Sequence, residues 1–259
     1  MSRLAAWRGR IATLALLALA AWEVTVLLAA RTEAPTDDDW ARTAEVVSHG
    51  WQPGDLVVFA PTWIDPVGRK WLGDLLSIDD AARMDAARYQ RIWEVSARNA
   101  SAPEARGTPT FATRFGALRI TRFERPAPRV TWDLGDRASL NEVGFSPRKC
   151  VLVGTLREGS PPASLAIADA TLGTELVAYA GLADFRTRRE NQGRALVRIL
   201  VDGAEISRAL VDNDSGWLAL PPAATATGVH EVRFEASVDE GAKHPVKLAV
   251  CVAAEARTP

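Results

Sequence analysis

The sequence contains few of the residues on which several protein classes depend. Its 259 residues include 2 cysteines, 2 tyrosines and 3 histidines, and 31 Lys and Arg residues against 32 Asp and Glu leave a net charge of -1. Two cysteines exclude a disulfide-dense scaffold and a four-thiolate zinc site. The charge balance excludes the basic surface that binds a nucleic acid backbone, so we expect no nucleic acid partner.

Recognisable catalytic signatures are also missing. The chain has no G-x-S-x-G elbow, H-E-x-x-H helix, P-loop or G-x-G-x-x-G turn. His49, His230 and His244 show no metal-ligand spacing, so we predict neither a metal nor a cofactor. Asp37 and Asp39 form a D-x-D pair, but their position just before an amphipathic run indicates a helix start. We therefore predict no catalytic residues.

What is present begins with a long apolar run, residues 11–30, interrupted by Glu23. A helix of about 20 residues is roughly 30 Å long, the thickness of a bilayer core. Arginines precede the run and aspartates follow it, which predicts a cytoplasmic N-terminus. We predict an uncut signal-anchor in residues 1–35: a single pass through the inner membrane, with later domains in the periplasm or outside the cell. A signal peptide cleaved near Ala18-Leu19-Ala20 is the alternative.

Residues 36–125 mix helical and strand patterns and end at the stiff, non-helical Arg125-Pro-Ala-Pro128. Thr36 and Asp39 fit the capping positions of a helix. A second helix is predicted over Ile78–Tyr89. Strands are predicted at residues 55–60, 92–96 and 115–123. This order predicts a small α/β module.

Residues 126–259 show short apolar runs with almost no helical period. Turn signals such as Asp202-Gly203 separate them, and Asp-Gly is a strong hairpin signal. Many short strands with regular turns predict a two-sheet β-sandwich of jelly-roll type. The predicted fold class is therefore α+β: a membrane helix, a small α/β module and an all-β sandwich.

The first half carries a recognisable pattern. It contains Trp40 and Val46-Val47, then Gly54-Asp55-Leu-Val-Val-Phe, Arg91-Ile-Trp93-Glu-Val95 and Leu118-Arg-Ile120. This pattern resembles the soluble periplasmic region that follows the membrane helices of dolichyl-phosphate-mannose-type glycosyltransferases. In that family the catalytic acids lie in loops of a multi-helix membrane domain. This chain has no such domain, so the resemblance implies an association with glycosyl transfer and not the reaction itself.

The second half resembles a galactose-binding-like sandwich of the kind attached to exported carbohydrate-active proteins. The stretches that carry the resemblance are Gly181-Leu-Ala-Asp184, Val201-Asp-Gly203, Gly216-Trp217, His230-Glu-Val-Arg-Phe234 and Glu255-Ala-Arg257. The resemblance implies a carbohydrate ligand.

The two cysteines lie in apolar strand patterns near the start and the end of the predicted sandwich. Because early and final strands of such sandwiches lie together, we predict a disulfide between Cys150 and Cys251. Two buried free thiols are the alternative.

Polar and aromatic residues cluster just after the first predicted strand. Trp63, Asp65, Arg69 and Trp71 follow its end, where ligands bind in α/β layers. Indole rings stack on sugar rings, while Asp and Arg bond hydroxyl groups, so we predict ligand-binding roles for these four residues. The alternative is that Trp63 and Trp71 cover a small core or contact a membrane surface.

The second half offers three further candidates. Asp184 and Arg186 begin a basic loop that suits an anionic polysaccharide, and Trp217 offers a second stacking ring. A solvated loop is the alternative for the first two. Asp212–Gly216 resembles the opening of a calcium loop, but it lacks the closing acid and indicates an Asx turn.

Together these features predict a membrane-anchored, exported, non-catalytic accessory or carbohydrate-binding protein of cell-envelope polysaccharide or glycolipid assembly. Its ligand would be a glycan or a glycolipid. One alternative is a carbohydrate-active enzyme that uses carboxylates such as Asp65 and Asp184. Another is a structural partner of a multi-helix membrane glycosyltransferase, contacted through Glu23 in the anchor helix.

Overall fold

The computed structural model describes residues 3–32, 34–183, 193–239 and 247–259. The chain forms two compact units. The first unit comprises residues 1–75 and 91–124, and the second comprises residues 76–90 and 125–259. Segment 76–90, which the sequence pattern places in the α/β module, therefore packs with the second unit.

The described residues contain four α-helices: α1 (Arg3–Thr32), α2 (Asp37–Gly50), α3 (Asp65–Leu72) and α4 (Ile78–Ala81). Helix α2 begins as the sequence predicts. The Asp39 N–H donates to Thr36 Oγ1 at 3.2 Å, and the Thr36 N–H donates to Asp39 Oδ2 at 3.0 Å. This capping box satisfies two donors that a helix start otherwise leaves without partners.

Helix α1 does not meet the requirements of a membrane span. Across the part of the chain that the structure describes, no helix is both long enough and apolar enough to cross a membrane. The prediction of an anchor in residues 1–35 is therefore wrong. The contact of Glu23 with a membrane protein is not tested and stays a prediction.

The first unit contains one four-stranded sheet. Its strands are β1 (Leu56–Ala60), β2 (Arg91–Ala97), β3 (Phe111–Phe115) and β4 (Leu118–Glu124), in the order β1-β2-β4-β3. Strands β1 and β2 are parallel, and the other pairs are antiparallel. The single strand predicted at 115–123 is instead a hairpin, because Gly116 turns the chain with a φ of 48°.

Strands β1 and β2 are largely buried, and every residue of β1 is buried. Trp40 and Val47 of α2 are buried as well. The buried Asp55 accepts a hydrogen bond from Trp93 Nε1 at 2.9 Å and pairs with Arg91 at 3.2 Å. These partners offset the cost of burying a carboxylate.

The predicted helix over Ile78–Tyr89 is wrong beyond Ala81, where α4 ends. The following residues leave the helical path, and their side chains take separate partners in the second unit. Asp85 pairs with Arg257 at 2.9 Å, and Arg88 pairs with Asp133 at 3.1 Å. Tertiary ion pairs thus override local helix propensity in this segment.

The second unit is built from two sheets. Its strands are β5 (Arg129–Asp133), β6 (Ser139–Val143), β7 (Ser146–Arg157), β8 (Ala163–Leu172), β9 (Glu175–Ala183), β10 (Ala195–Val201), β11 (Ala204–Val211), β12 (Leu218–Ala219), β13 (Ala223–Ala224), β14 (Gly228–Val238) and β15 (Lys247–Thr258). One sheet has the order β11-β10-β14-β8, and the other has the order β12-β9-β6-β7-β15-β5, with β13 paired to β9. Apolar side chains of both sheets form a shared core, including Phe234, Val197 and Leu182.

Buried charges lie on β15. Glu255 and Arg257 are 3% and 5% exposed, and Arg257 Nη2 lies 2.8 Å from Glu255 Oε2. Burial raises the pKa of the Glu255 carboxyl above its ordinary value, against the opposing charges of Arg257 and Arg88. Arg257 also binds Asp85, so these charges attach segment 76–90 to the sandwich.

Cys150 of β7 and Cys251 of β15 form the predicted disulfide across 101 positions of sequence. A structural disulfide indicates an oxidising compartment, either extracellular or periplasmic.

The β-sandwich fits the prediction for residues 126–259. The fold class as a whole was predicted wrongly, because the described residues are mostly β, form three sheets and contain no helix that could span a membrane.

Candidate functional site

Several chain turns meet at one edge of the first unit's sheet. Because β1 and β2 are parallel and Ala60 pairs with Ser96, both strands end at this edge. Strand β4 runs antiparallel to β2 and begins there, since Leu118 pairs with Ala97. The β3–β4 turn therefore lies at the same edge. Crevices at the carboxyl ends of parallel strands are frequent ligand sites in α/β layers.

The turn after β2 holds two residues in an uncommon backbone conformation. Arg98 and Asn99 have φ values of 52° and 56°, and the Ala100 N–H donates to the Ala97 carbonyl at 3.0 Å. Asparagine tolerates the left-handed region, whereas a long side chain there costs roughly 1–2 kcal/mol. Such strain is concentrated at functional sites in proteins, which directs attention to Arg98.

Trp63 lies in a short 3-10 turn that follows β1 (Thr62–Ile64). Its side chain is 54% exposed, which is unusual for a ring of this size. The Arg98 guanidinium carbon lies 5.5 Å from the centre of the indole ring, within the range of a cation–π contact. The ends of β1 and β2 therefore supply an aromatic surface and a cation side by side.

An open cleft of about 630 Å³ adjoins this pair. It is lined by Ala34, Thr36, Asp39, Arg98, Asn99, Arg114, Gly116 and Ala117. Its volume falls in the range of ~300–1,000 Å³ that is typical of small-molecule sites. Two guanidinium groups and one carboxylate line it, so the described lining is net positive. We call this site the arginine cleft.

Asp39 has a structural role in the cleft, because it caps the start of α2. Its carboxylate accepts the Thr36 N–H that begins α2, and it lies against Gly116, where a Cβ would collide with the carboxylate oxygens. Glycine at position 116 thus allows both the positive φ and the close approach of the carboxylate.

A second layer of polar contacts supports the Arg98 turn. Arg119 donates to the Ala100 carbonyl at 3.1 Å and to Ser96 Oγ at 3.2 Å. Its guanidinium also lies 3.6 Å from Glu94, which is buried and accepts the Ala102 N–H at 2.6 Å. Arg119 and Glu94 therefore fix the backbone that presents Arg98 and Asn99.

Of the four residues predicted after β1, Trp63 contacts Arg98, which lines the arginine cleft. Asp65 and Arg69 pair with each other at 2.7 Å across one turn of α3. Trp71 is half-buried beneath Lys70, whose Nζ lies 5.4 Å from the ring centre. The described cleft lining includes none of Trp63, Asp65, Arg69 and Trp71.

Trp217 packs within the second unit. Its indole stacks on Tyr179 with ring centres 5.9 Å apart, and its Nε1–H donates to the Met84 carbonyl at 3.0 Å. The Arg148 guanidinium lies 5.7 Å from the same ring. Burial raises the pKa of the Tyr179 phenol, in agreement with an enclosed site. These contacts support a packing role for Trp217.

Two predicted residues, Asp184 and Arg186, lie outside the described residues.

The Asx-turn interpretation of Asp212–Gly216 is confirmed. Asp212 Oδ1 accepts from Ser215 Oγ at 2.6 Å and from the Asp214 N–H at 3.0 Å. These bonds, above all that from Ser215, lower the pKa of Asp212.

A second cleft of about 450 Å³ lies in the second unit, between β5, the following 3-10 turn and β8. Its charged lining residues are Asp133, Asp136, Arg137 and Asp169. Asp133 is engaged by Arg88 and by the Gly135 N–H. We call this site the aspartate cleft.

Sequence reasoning missed Arg98, Asn99 and Arg114. The signal that could have revealed the first two is their position directly after a strand parallel to β1. Arg114 could not be found in this way, because the prediction of one strand over residues 115–123 concealed the hairpin that places it at this edge.

Neither a known protein family nor a curated protein matches the chain. Two crystal structures of an uncharacterized protein from Listeria monocytogenes EGD-e are similar to it, with TM-scores of 0.26 and 0.25 and identities of 10% and 11%. One of them is a complex with alpha-D-glucose, beta-D-glucose, magnesium and calcium. Each match covers 64% of this chain but 18% or 15% of the other. The chain spans less than a fifth of that protein, and such TM-scores do not establish a shared fold.

Proposed function

We propose that this chain is an exported, non-catalytic glycan-binding protein whose binding site is the arginine cleft with Trp63. The observation that carries the proposal is the exposed indole of Trp63 beside Arg98, a residue that lines the cleft. A glycan chain or the sugar headgroup of a glycolipid is the expected ligand.

The chemistry of a sugar ring suits this arrangement. One face of a pyranose presents C–H groups that pack on an aromatic ring, and its edge presents hydroxyl groups that need hydrogen-bond partners. Trp63 offers the ring, while Asn99 offers both a donor and an acceptor. Arg98 and Arg114 add further donors at the same edge.

The carboxylates argue against glycoside hydrolysis at this site. That reaction normally uses two carboxyl groups that flank the scissile bond. The described lining of the arginine cleft contains one, Asp39, and it caps α2. Asp65, which the enzyme alternative requires, is held by Arg69 at 2.7 Å.

The test is a glycan-array screen of the full chain followed by calorimetry on the ligands found, repeated on Trp63→Ala. We expect the variant to bind about 10-fold more weakly, because a stacked aromatic ring and its buried area contribute roughly that much. Trp217→Phe is the matched control, since it alters a packed tryptophan and should leave the affinity unchanged. Failure of the folded protein to bind any glycan would reject the proposal.

A further inference from the structure

We infer that Asn99 is an acceptor site for N-linked glycosylation. It begins the stretch Asn99-Ala100-Ser101, which matches the acceptor pattern N-x-S/T with a residue other than proline in the middle. Asn213, which is followed by Asp214 and Ser215, begins the other match in the chain. The folded structure makes the first match accessible and engages the second in local bonds.

The compartment of the protein agrees with such a modification. N-linked glycans are found on secreted proteins, where they occupy surface loops. The disulfide between Cys150 and Cys251 indicates an exported chain, because such bonds persist in oxidising compartments. The chain therefore reaches the side of the membrane on which asparagine side chains are glycosylated.

Asn99 presents its side chain to solvent. It is exposed in the turn that follows β2, and its backbone has a φ of 56°. Asparagine tolerates this left-handed conformation, which turns the chain away from the sheet. Among the described residues its side-chain amide has no hydrogen-bond partner. The Nδ2 atom is therefore available as a nucleophile.

Ser101 presents the hydroxyl group that the pattern requires. It is exposed, and its Oγ accepts a hydrogen bond from Arg119 Nη2 at 3.3 Å. Within the part of the chain that the structure describes, this hydroxyl makes no other hydrogen bond, so its proton is free. The backbone is fixed one residue later, where the Ala102 N–H donates to the buried Glu94 at 2.6 Å. The acceptor stretch thus lies on the open side of a firmly attached residue.

The match at Asn213 lacks both properties. Asn213 is half-buried, and its side-chain oxygen is excluded from solvent. Ser215 Oγ donates to Asp212 Oδ1 at 2.6 Å and accepts the Asp212 N–H at 3.3 Å. Both functions of this hydroxyl are used within the Asx turn. We therefore expect Asn213 to stay unmodified in the folded protein.

The modification requires a co-reactant and a transferase. The co-reactant is an oligosaccharide joined through a diphosphate to a lipid. The Asn99 Nδ2 atom forms a bond to the anomeric carbon of the first sugar, and the bond from that carbon to the diphosphate oxygen breaks. The lipid diphosphate leaves with the electron pair, and a base of the transferase takes one amide proton.

An attached glycan would change access to the arginine cleft, because Asn99 lines it. The covalent sugar would occupy space at the ends of β1 and β2 and exclude a free ligand. Glycosylated protein should therefore bind free glycans more weakly than unmodified protein. The modification itself does not require that the cleft binds glycans.

The experiment incubates the folded, disulfide-bonded full chain with a diphosphate-linked oligosaccharide and a single-subunit oligosaccharyltransferase that reads N-x-S/T. Intact mass reports the number of glycans for each chain. Release by a glycan amidase in heavy-oxygen water converts each modified asparagine to labelled aspartate, which peptide mapping locates. We expect one glycan for each chain, on Asn99.

Variants assign the modification to its acceptor pattern. Ser101→Ala should abolish the glycan while it retains Asn99, and Ser101→Thr should keep it, because threonine also fits the pattern. Ser215→Ala makes the same change in the other match and is the matched control. It should leave the glycan on Asn99 unchanged. Circular dichroism of each variant verifies folding.

The outcomes keep this inference separate from the proposed function. An unmodified Asn99 in the folded chain, under conditions in which a peptide of residues 96–104 is modified, would overturn the inference. A glycan on Asn213 alone, or one on Asn99 that persists in Ser101→Ala, would also overturn it. Each of these results leaves glycan binding by the unmodified protein as it was, and a failure of that binding leaves the modification intact.

Discussion

The two clefts of this protein differ in charge although each lies beside the end of a strand. The arginine cleft in the first unit is lined by Arg98 and Arg114 against Asp39. The aspartate cleft in the second unit is lined by Asp133, Asp136 and Asp169 against Arg137. Their volumes, about 630 and 450 Å³, are both large enough for a small ligand.

This contrast shows how little the net charge of a chain says about its sites. A net charge of -1 predicts that a nucleic acid backbone is not a partner, because such binding needs an extended basic surface. A single anionic sugar needs only two or three cations in one place. The lining of the arginine cleft contains two arginines, whereas three of the four charged residues that line the aspartate cleft are acidic.

The largest expected effect is that of removing the disulfide, which lies in the second unit. In the second unit Cys150 and Cys251 close a loop across 101 positions, and Cys150→Ser with Cys251→Ser should cost about 4–5 kcal/mol of unfolding free energy in the chain-entropy model. Hydrogen exchange should show faster opening in β7 and β15 and no change in β1 and β2. Equal loss of protection in both units would contradict this separation.

A smaller effect tests the charge of the clefts. Asp39→Asn should strengthen binding of an acidic glycan about threefold, because it removes a negative charge from the cleft lining while the amide oxygen still accepts the Thr36 N–H. Asp169→Asn in the aspartate cleft is the control and should leave that affinity unchanged. Calorimetry that gave the same gain for both variants would indicate a diffuse effect of net charge.

The smallest effect concerns pH and the stability of the second unit. Asp202 Oδ2 accepts a hydrogen bond from His230 Nδ1 at 2.7 Å, and this bond, with that from the Glu231 N–H, lowers the pKa of Asp202 below 3.8. A lowered carboxyl pKa contributes stability above 3.8 that is lost as the pH falls through the folded-state value. Asp202→Asn should therefore lower the melting temperature slightly near neutral pH, and the difference should vanish in strong acid. A constant difference at all pH values would exclude the ionised carboxylate as its cause.

Local signals in the sequence predicted local structure well. The capping pair of Thr36 and Asp39, the buried strand β1 and the Asp202-Gly203 hairpin are set by neighbours in the chain, and each is present. The disulfide was also predicted, because two cysteines in an exported sandwich have few alternatives. The prediction of a membrane-spanning helix was wrong, because an apolar run in the sequence does not by itself show that a helix is long and apolar enough to cross a bilayer.

The site was harder to predict because its residues come from distant parts of the chain. Trp63 was singled out by its place after a strand, whereas Arg114 reaches the cleft through the pairing of β3 with β4, which no local pattern encodes. The contacts of Trp217 differ from those that its ring chemistry suggested. Its ring chemistry suggested a ligand surface, whereas its contacts with Tyr179 and Met84 are those of a packed side chain.

The position of β15 in its sheet has a consequence for how the protein is made. This strand pairs with β5, β7 and β9, all of which leave the ribosome before it. Until residues 247–258 are synthesised, those three strands have unpaired edges that can associate with other chains. The sheet of the first unit is complete in sequence at Glu124, so translation delivers one finished sheet well before the other. During that interval the open half of the sandwich is the part of the chain that is exposed to such association.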